Sequence, residues 1–181
     1  MLWPPPGGWR KPPRWLLRFA AARAIDVANL RLSYVRPEHA GMKVVWKDLS
    51  RGLIAAVADE SLIPNQTLYV LDAVSLDEAH VIAALLNSTI VNCLTICIAE
   101  RAKDFHFRYF GRTLARVPFP HITPRDDAWV RLARCARRGR DGAEVMHEVD
   151  AIVAELYGVT PAEHSRIASF VARRLGHTID D

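Results

Sequence analysis

The stretch from Val81 to Ala99 runs for nineteen residues without a charged side chain, and no other part of the chain constrains the fold as much. An apolar run of this length is either a membrane span or a helix with no face turned to water. Asn87, Ser88, Thr89, Asn92 and Thr95 interrupt it, and Asp77-Glu78 and Glu100-Arg101 flank it, which favours the second reading. The start has capping-box form: Ser75 supplies a side-chain acceptor, and Glu78 follows three residues on. Asp77 and Glu78 also suit the positive end of a helix dipole. One helix is therefore expected from Ser75 to about Ala99, buried in a protein core, with a membrane span as the minor alternative. Asn87 and Ser88 are expected to cap or bridge within the fold.

The remaining pattern supplies strands before this helix and helices well after it. Lys43–Lys47 and Thr67–Leu71 are β-rich, with a turn signal at Pro64-Asn65. Leu53–Val57 is a candidate third strand, pairing through the Asp59-Glu60-Ser61 bend. Asp104–Phe110 alternates, with Phe105, Phe107 and Tyr109 on one face that is expected to pack in the core. Val117-Pro118-Phe119-Pro120 ends that segment, because proline stops a ladder. Helices are expected over residues 126–138, over 144–157 ended by Gly158, and from Thr160-Pro161 to Leu175. Residues 14–30 have helical spacing, and residues 1–13 are too rich in Pro, Gly and Trp for regular structure. The expected fold is α+β: a small mixed or antiparallel sheet packed on a buried helix, followed by a helical C-terminal segment. Three parts are expected: an arm or linker remnant (1–13), an α+β domain (14–122) and the helical segment (123–181).

Of 181 residues, half are hydrophobic, enough to bury a core without cross-links. The three cysteines form no Cys-x-x-Cys pair, so reduced thiols in a cytoplasmic protein are expected. The seven histidines are scattered, and the chain has no phosphate loop, nucleophile elbow or zinc-protease motif. Neither a metal site nor a catalytic residue is expected.

Charge is the positive signal. Residues 1–50 carry nine Lys/Arg against three Asp/Glu, and residues 101–140 eleven against three. Residues 51–100 carry one against six, and residues 141–181 three against eight. Such segregation raises the prospect of a polyanionic partner. Lys43, Lys47 and Arg51 gather at the first strand, and Arg108, Arg112 and Arg116 at the aromatic segment. Cations placed this way neutralise phosphates, and arginine also matches the guanine edge. These six are the DNA-binding candidates.

Four segments, in order, resemble a known family: Lys43–Arg51, Ile63–Val70, the helix containing Ala83-Ala84-Leu85-Leu86-Asn87-Ser88, and Phe107–Pro120. Val149–Thr160, with Asp150 and Leu156-Tyr157-Gly158-Val159, continues the series. The chain is similar to the C-terminal specificity region of TaqI-type adenine-specific DNA methyltransferases of restriction–modification systems. That resemblance implies duplex DNA as partner, together with a methyltransferase or restriction subunit. The family's catalytic motif, Asn or Asp followed by Pro-Pro and an aromatic, has no counterpart here, nor has its cofactor loop. S-adenosylmethionine is thus expected only in a partner or missing catalytic domain, and this chain is expected to be the recognition part. The alternative is a non-catalytic interaction or regulatory module, in which the basic helix at 126–138 pairs with the acidic one at 144–157 and cancels the asymmetry internally.

Overall fold

A computed structural model of the chain describes residues 41–62, 64 and 67–176. The arm at 1–13, the helix at 14–30 and Asn65 of the turn signal lie outside the described residues.

Among the described residues, six short strands form two antiparallel sheets. In the first, β1 (Lys43–Lys47) is central, between β3 (Ala55–Ala58) and β4 (Leu68–Asp72). The register sets Val44 opposite Val57 and Leu71, and Trp46 opposite Ala55 and Tyr69. The strand expected over 53–57 is found at Ala55–Ala58, with Leu53 and Ile54 outside it, and it pairs with β1 and not across the Asp59–Ser61 bend. The second sheet joins β2 (Leu49–Ser50), β6 (Phe107–Arg108) and β5 (Glu100–Arg101) in the order β2-β6-β5. Asp48 links the sheets: its N–H donates to the Thr67 carbonyl (3.0 Å), and its own carbonyl accepts from Tyr109 N–H (2.7 Å).

The long apolar run is two helices, not one. Helix α1 (Leu76–Asn87) and helix α2 (Thr89–Ile98) meet at Ser88 with a bend of 64°. Ser88 breaks the helix because its hydroxyl has two backbone partners. It donates to the Leu85 carbonyl (2.7 Å) and accepts from Val91 N–H (3.3 Å), so it closes one helix and caps the next. Asp150 completes the junction, accepting from Thr89 N–H (2.7 Å) and Thr89 Oγ1 (2.6 Å). At the start of α1, Ser75 accepts from Glu78 N–H as expected, while the Glu78 carboxylate reaches Val74 N–H (2.6 Å).

A short helix α3 (Gly111–Leu114) follows the second sheet, and after it come α4 (Asp127–Arg140), α5 (Met146–Tyr157) and α6 (Pro161–Arg174). These helices explain why α1 is apolar all round. Its Ala79, Ala83 and Leu86 pack with Val44, Trp46, Phe107 and Tyr109 of the sheets. Its Val81, Ala84 and Leu85 pack with Leu132 of α4 and with Val149, Ile152 and Val153 of α5. A helix between two cores needs no polar face. Among the described residues no single helix is long and apolar enough to cross a membrane. The α1–α2 pair qualifies by length and composition only, and it is bent. The architecture is α+β, as the sequence pattern implies.

Two asparagines tie the sheet to the helix junction. Asn87 accepts from Ala55 N–H (2.8 Å) and donates to Ala55 O (2.9 Å). Asn92 does the same with Leu53, at 2.9 and 3.2 Å, and also donates to the carbonyls of Leu86 and Ser88. Each side-chain amide imitates a strand partner, so residues 53–55 are held as if in a ladder. Asn87 and Ser88 therefore bridge and cap within the fold, as expected.

Candidate nucleic-acid interface

The site is built on an aromatic ladder at the seam of the two sheets. The Trp46 and Tyr69 rings stack with centroids 5.7 Å apart, and Tyr69 meets Phe110 edge-on at 6.3 Å. Trp46 Nε1 donates to the Tyr109 carbonyl (2.8 Å), and the Tyr109 hydroxyl donates to the Arg51 carbonyl (2.8 Å). Tyr109 has no exposed surface, and burial pushes its phenol well above the ordinary tyrosine range, so this hydroxyl stays a donor. The Arg51 loop is thereby pinned to the core while the Arg51 side chain faces solvent.

Phe110 carries two guanidiniums. The Arg112 guanidinium carbon lies 4.0 Å from the ring centroid and that of Arg108 5.8 Å, both within cation–π range. Arg108 is also fixed by Asp48, with 3.3 Å between Nη1 and Oδ2. Arg112, Arg116, Phe110, Glu100 and Thr113 line a shallow cleft of about 250 Å³. Glu100 is also the cross-strand partner of Arg108. Arg112 and Arg116 are exposed, as are Lys47 at the end of β1 and Arg51 just past β2. The arrangement holds Arg108 and Arg112 in place at Phe110 and leaves Lys47, Arg51 and Arg116 exposed beside them.

Five of the six candidates thus lie on or beside the sheet seam. Lys43 does not, and its placement corrects the expectation. Its side chain is fully buried, with Nζ donating to the Asp59 carbonyl. Desolvation lowers its pKa, opposed by the charges of Asp59, Asp72 and Glu60. A buried ammonium satisfied by a backbone carbonyl cannot reach a phosphate. The aromatic face needs a smaller correction. Phe107 and Tyr109 are core residues, whereas Phe105 is 44% exposed and packs against Gly176. Asp104 and Phe105 have φ of 55° and 60°, which takes the chain out of the alternating geometry and turns Phe105 away from the shared face.

The helical cations are mostly engaged. Arg131 pairs with Glu155 (2.7 Å), Arg138 with Glu148 (2.8 Å) and Arg137 with Asp77 (3.1 Å). The basic and acidic helices do clasp each other, as the alternative reading supposed. Asp48 and Phe110 are site residues that sequence reasoning missed. Phe110 was visible as the aromatic between two arginines, but the value of Asp48 depends on a pairing between segments sixty residues apart.

No family model and no curated protein matches the sequence. Among solved structures, the fold is similar to part of the Type IIL restriction–modification enzyme MmeI, determined in complex with DNA. The TM-score is 0.57 at 16% identity, and the match covers 92% of this chain. The chain spans 24% of the length of that enzyme. The fold described above is therefore shared with a restriction–modification enzyme.

Proposed function

We propose that this chain is a DNA target-recognition module of a restriction–modification system. Duplex DNA would lie along Lys47, Arg51, Arg108, Arg112 and Arg116, and methyl transfer would belong to a separate or missing domain that binds S-adenosylmethionine. The observation that carries this reading is the fold shared along nearly the whole chain with a segment of an enzyme whose structure was determined on DNA. The charge layout supports it: the five residues lie on segments that meet where the two sheets join, and four of them are exposed. Arg108 is the residue we assign to base reading, because Asp48 holds its guanidinium in place while its side chain stays 41% exposed. Lys47, Arg51, Arg112 and Arg116 would hold phosphates.

The test is a titration of the chain with duplex DNA at several salt concentrations. Four phosphate contacts predict a log–log slope of about −3.6, and replacing Arg112 and Arg116 by alanine should flatten it to about −1.8. An affinity that ignores salt, or a slope unchanged in the double variant, would falsify the assignment.

A further inference from the structure

A cleft of about 700 Å³ opens between the edge strand β3, helix α1 and the end of α4, and it shares no lining residue with the Phe110 cleft. Its volume falls in the range of small-molecule sites. Ala55, Val57, Ala136 and Val149 are among the small walls, so a flat body could enter between strand and helix.

Within this apolar lining stands His80, which is only 2% exposed. Among the described residues, neither ring nitrogen has a hydrogen-bond partner. Buried side-chain polar atoms are rarely left in that condition, and an imidazole has two of them. The other polar side chains of the wall, Arg140 aside, each have at least one hydrogen-bond partner. Asn87 spends both amide atoms on Ala55. The Asp59 carboxylate accepts from Ser61 N–H and Oγ, and the Glu144 carboxylate from Met146 N–H. Arg140 lines the same cleft, is exposed, and makes no ion pair among the described residues. Burial first, and then the Arg140 charge, lower the pKa of the imidazole, so it is neutral at pH 7 and can both donate and accept.

Among the described residues, the polar side chains of the wall with no hydrogen-bond partner are thus one neutral donor–acceptor ring deep in the cleft and one guanidinium at its end. Their complement is a flat molecule with hydrogen-bonding edges and a separate anionic group. We propose that this cleft binds a single nucleotide, with the base edge on His80 and the phosphate on Arg140. The nucleotide can be free, or an unpaired residue of a strand; the recognition chemistry is the same. The proposal stands apart from the duplex reading, because no residue is common to the two sites.

The test follows the His80 ring signals by NMR in the labelled full chain. The probes are the four nucleoside 5′-monophosphates, adenosine, inorganic phosphate and a single-stranded DNA decamer. The expected result is a saturable shift of the His80 ring with at least one monophosphate or with the decamer, and whichever of the two moves it identifies the source. Arg140→Ala should weaken that binding about tenfold, the loss of one charged contact, while leaving adenosine unaffected. His80→Leu, followed through the backbone amide signals of the cleft, should weaken nucleotide binding and leave inorganic phosphate unaffected. Ring signals unmoved by all four monophosphates and by the decamer at millimolar concentration overturn the proposal. Binding that Arg140→Ala leaves unchanged also overturns it. If His80→Leu does not fold, the wild-type titration and Arg140→Ala decide the matter.

Discussion

Asn92→Ala tests how this fold holds its central connection. Asn92 is 8% exposed, and its side chain accepts from Leu53 N–H while donating to the carbonyls of Leu53, Leu86 and Ser88. Ser88 O keeps its helical partner, the Asn92 N–H, after truncation. Leu53 N–H, Leu53 O and Leu86 O would each lose the Asn92 side chain. A buried orphan costs about 1–3 kcal/mol, so three of them, with partial relaxation, should cost about 3 kcal/mol. For a chain of this size that lowers Tm by about 6–12 °C. Asn87→Ala is the internal control. It breaks the same kind of reciprocal pair with Ala55, but at a half-buried position that water can reach, so about 1 kcal/mol is expected. Urea denaturation of both variants, with unchanged m-values, gives the comparison directly. A loss below about 1 kcal/mol for Asn92→Ala, or equal losses for the two variants, refutes the account of the junction as a pair of amide clamps.

Lys43→Met should leave DNA affinity and its salt slope at wild-type values, because the ammonium is buried, whereas Lys47→Ala should flatten the slope by about 0.9; gel-shift titration separates the two. His80 has a folded pKa below its unfolded value of 6.5, so as pH falls below about 6.5 the unfolded chain takes up a proton that the folded chain refuses. Stability should drop by at most about 1.4 kcal/mol per pH unit there, and a folded His80→Leu variant should lack that component in denaturation run from pH 7.5 to 5. Gly158 ends α5 at φ 64°, so Gly158→Ala should cost about 1 kcal/mol in the same assay, with open space around the new methyl group.

The sequence was most informative where local chemistry decides structure. The Ser75 cap, the Gly158 stop and the Thr160–Glu163 capping box are all present, because each depends on residues within one turn. The α+β class was legible from the change in period between the strands and the later helices. The break at Ser88 was not, although its residues were noted. Serine inside an apolar run is compatible with an unbroken helix until a partner such as Asp150, sixty-one residues later, fixes the other outcome. Lys43 failed for a similar reason. A lysine at the start of a strand looks solvent-exposed, and only the β1–β3 pairing brings the Asp59 carbonyl over its ammonium. His80 is one of seven histidines scattered along the sequence, and only its place within the apolar turns of α1 sets it apart. At the candidate interface, the arginines were legible as a cluster. The platform beneath them was not, because Trp46, Tyr69 and Phe110 come from three separate segments.

The charge blocks acquire a spatial meaning once pairing is taken into account. The basic helix α4 meets the acidic helix α5 through Arg131–Glu155 and Arg138–Glu148, and α1 through Arg137–Asp77. These pairs are exposed and contribute little to stability. Their consequence is electrostatic: they remove three cations from the reach of a polyanion. The arginines on and beside α3 have no such relief. Arg112 is held by a neutral ring and not by an acid, and Arg116 makes no ion pair among the described residues. A cation placed over an aromatic face keeps its full charge for an incoming phosphate, whereas one in an ion pair must first give up its partner. Two basic stretches of similar composition therefore differ in what they can do. Three cations of the helical stretch are spent on pairs inside the chain, whereas Arg112 and Arg116 at the sheet seam remain free to bind.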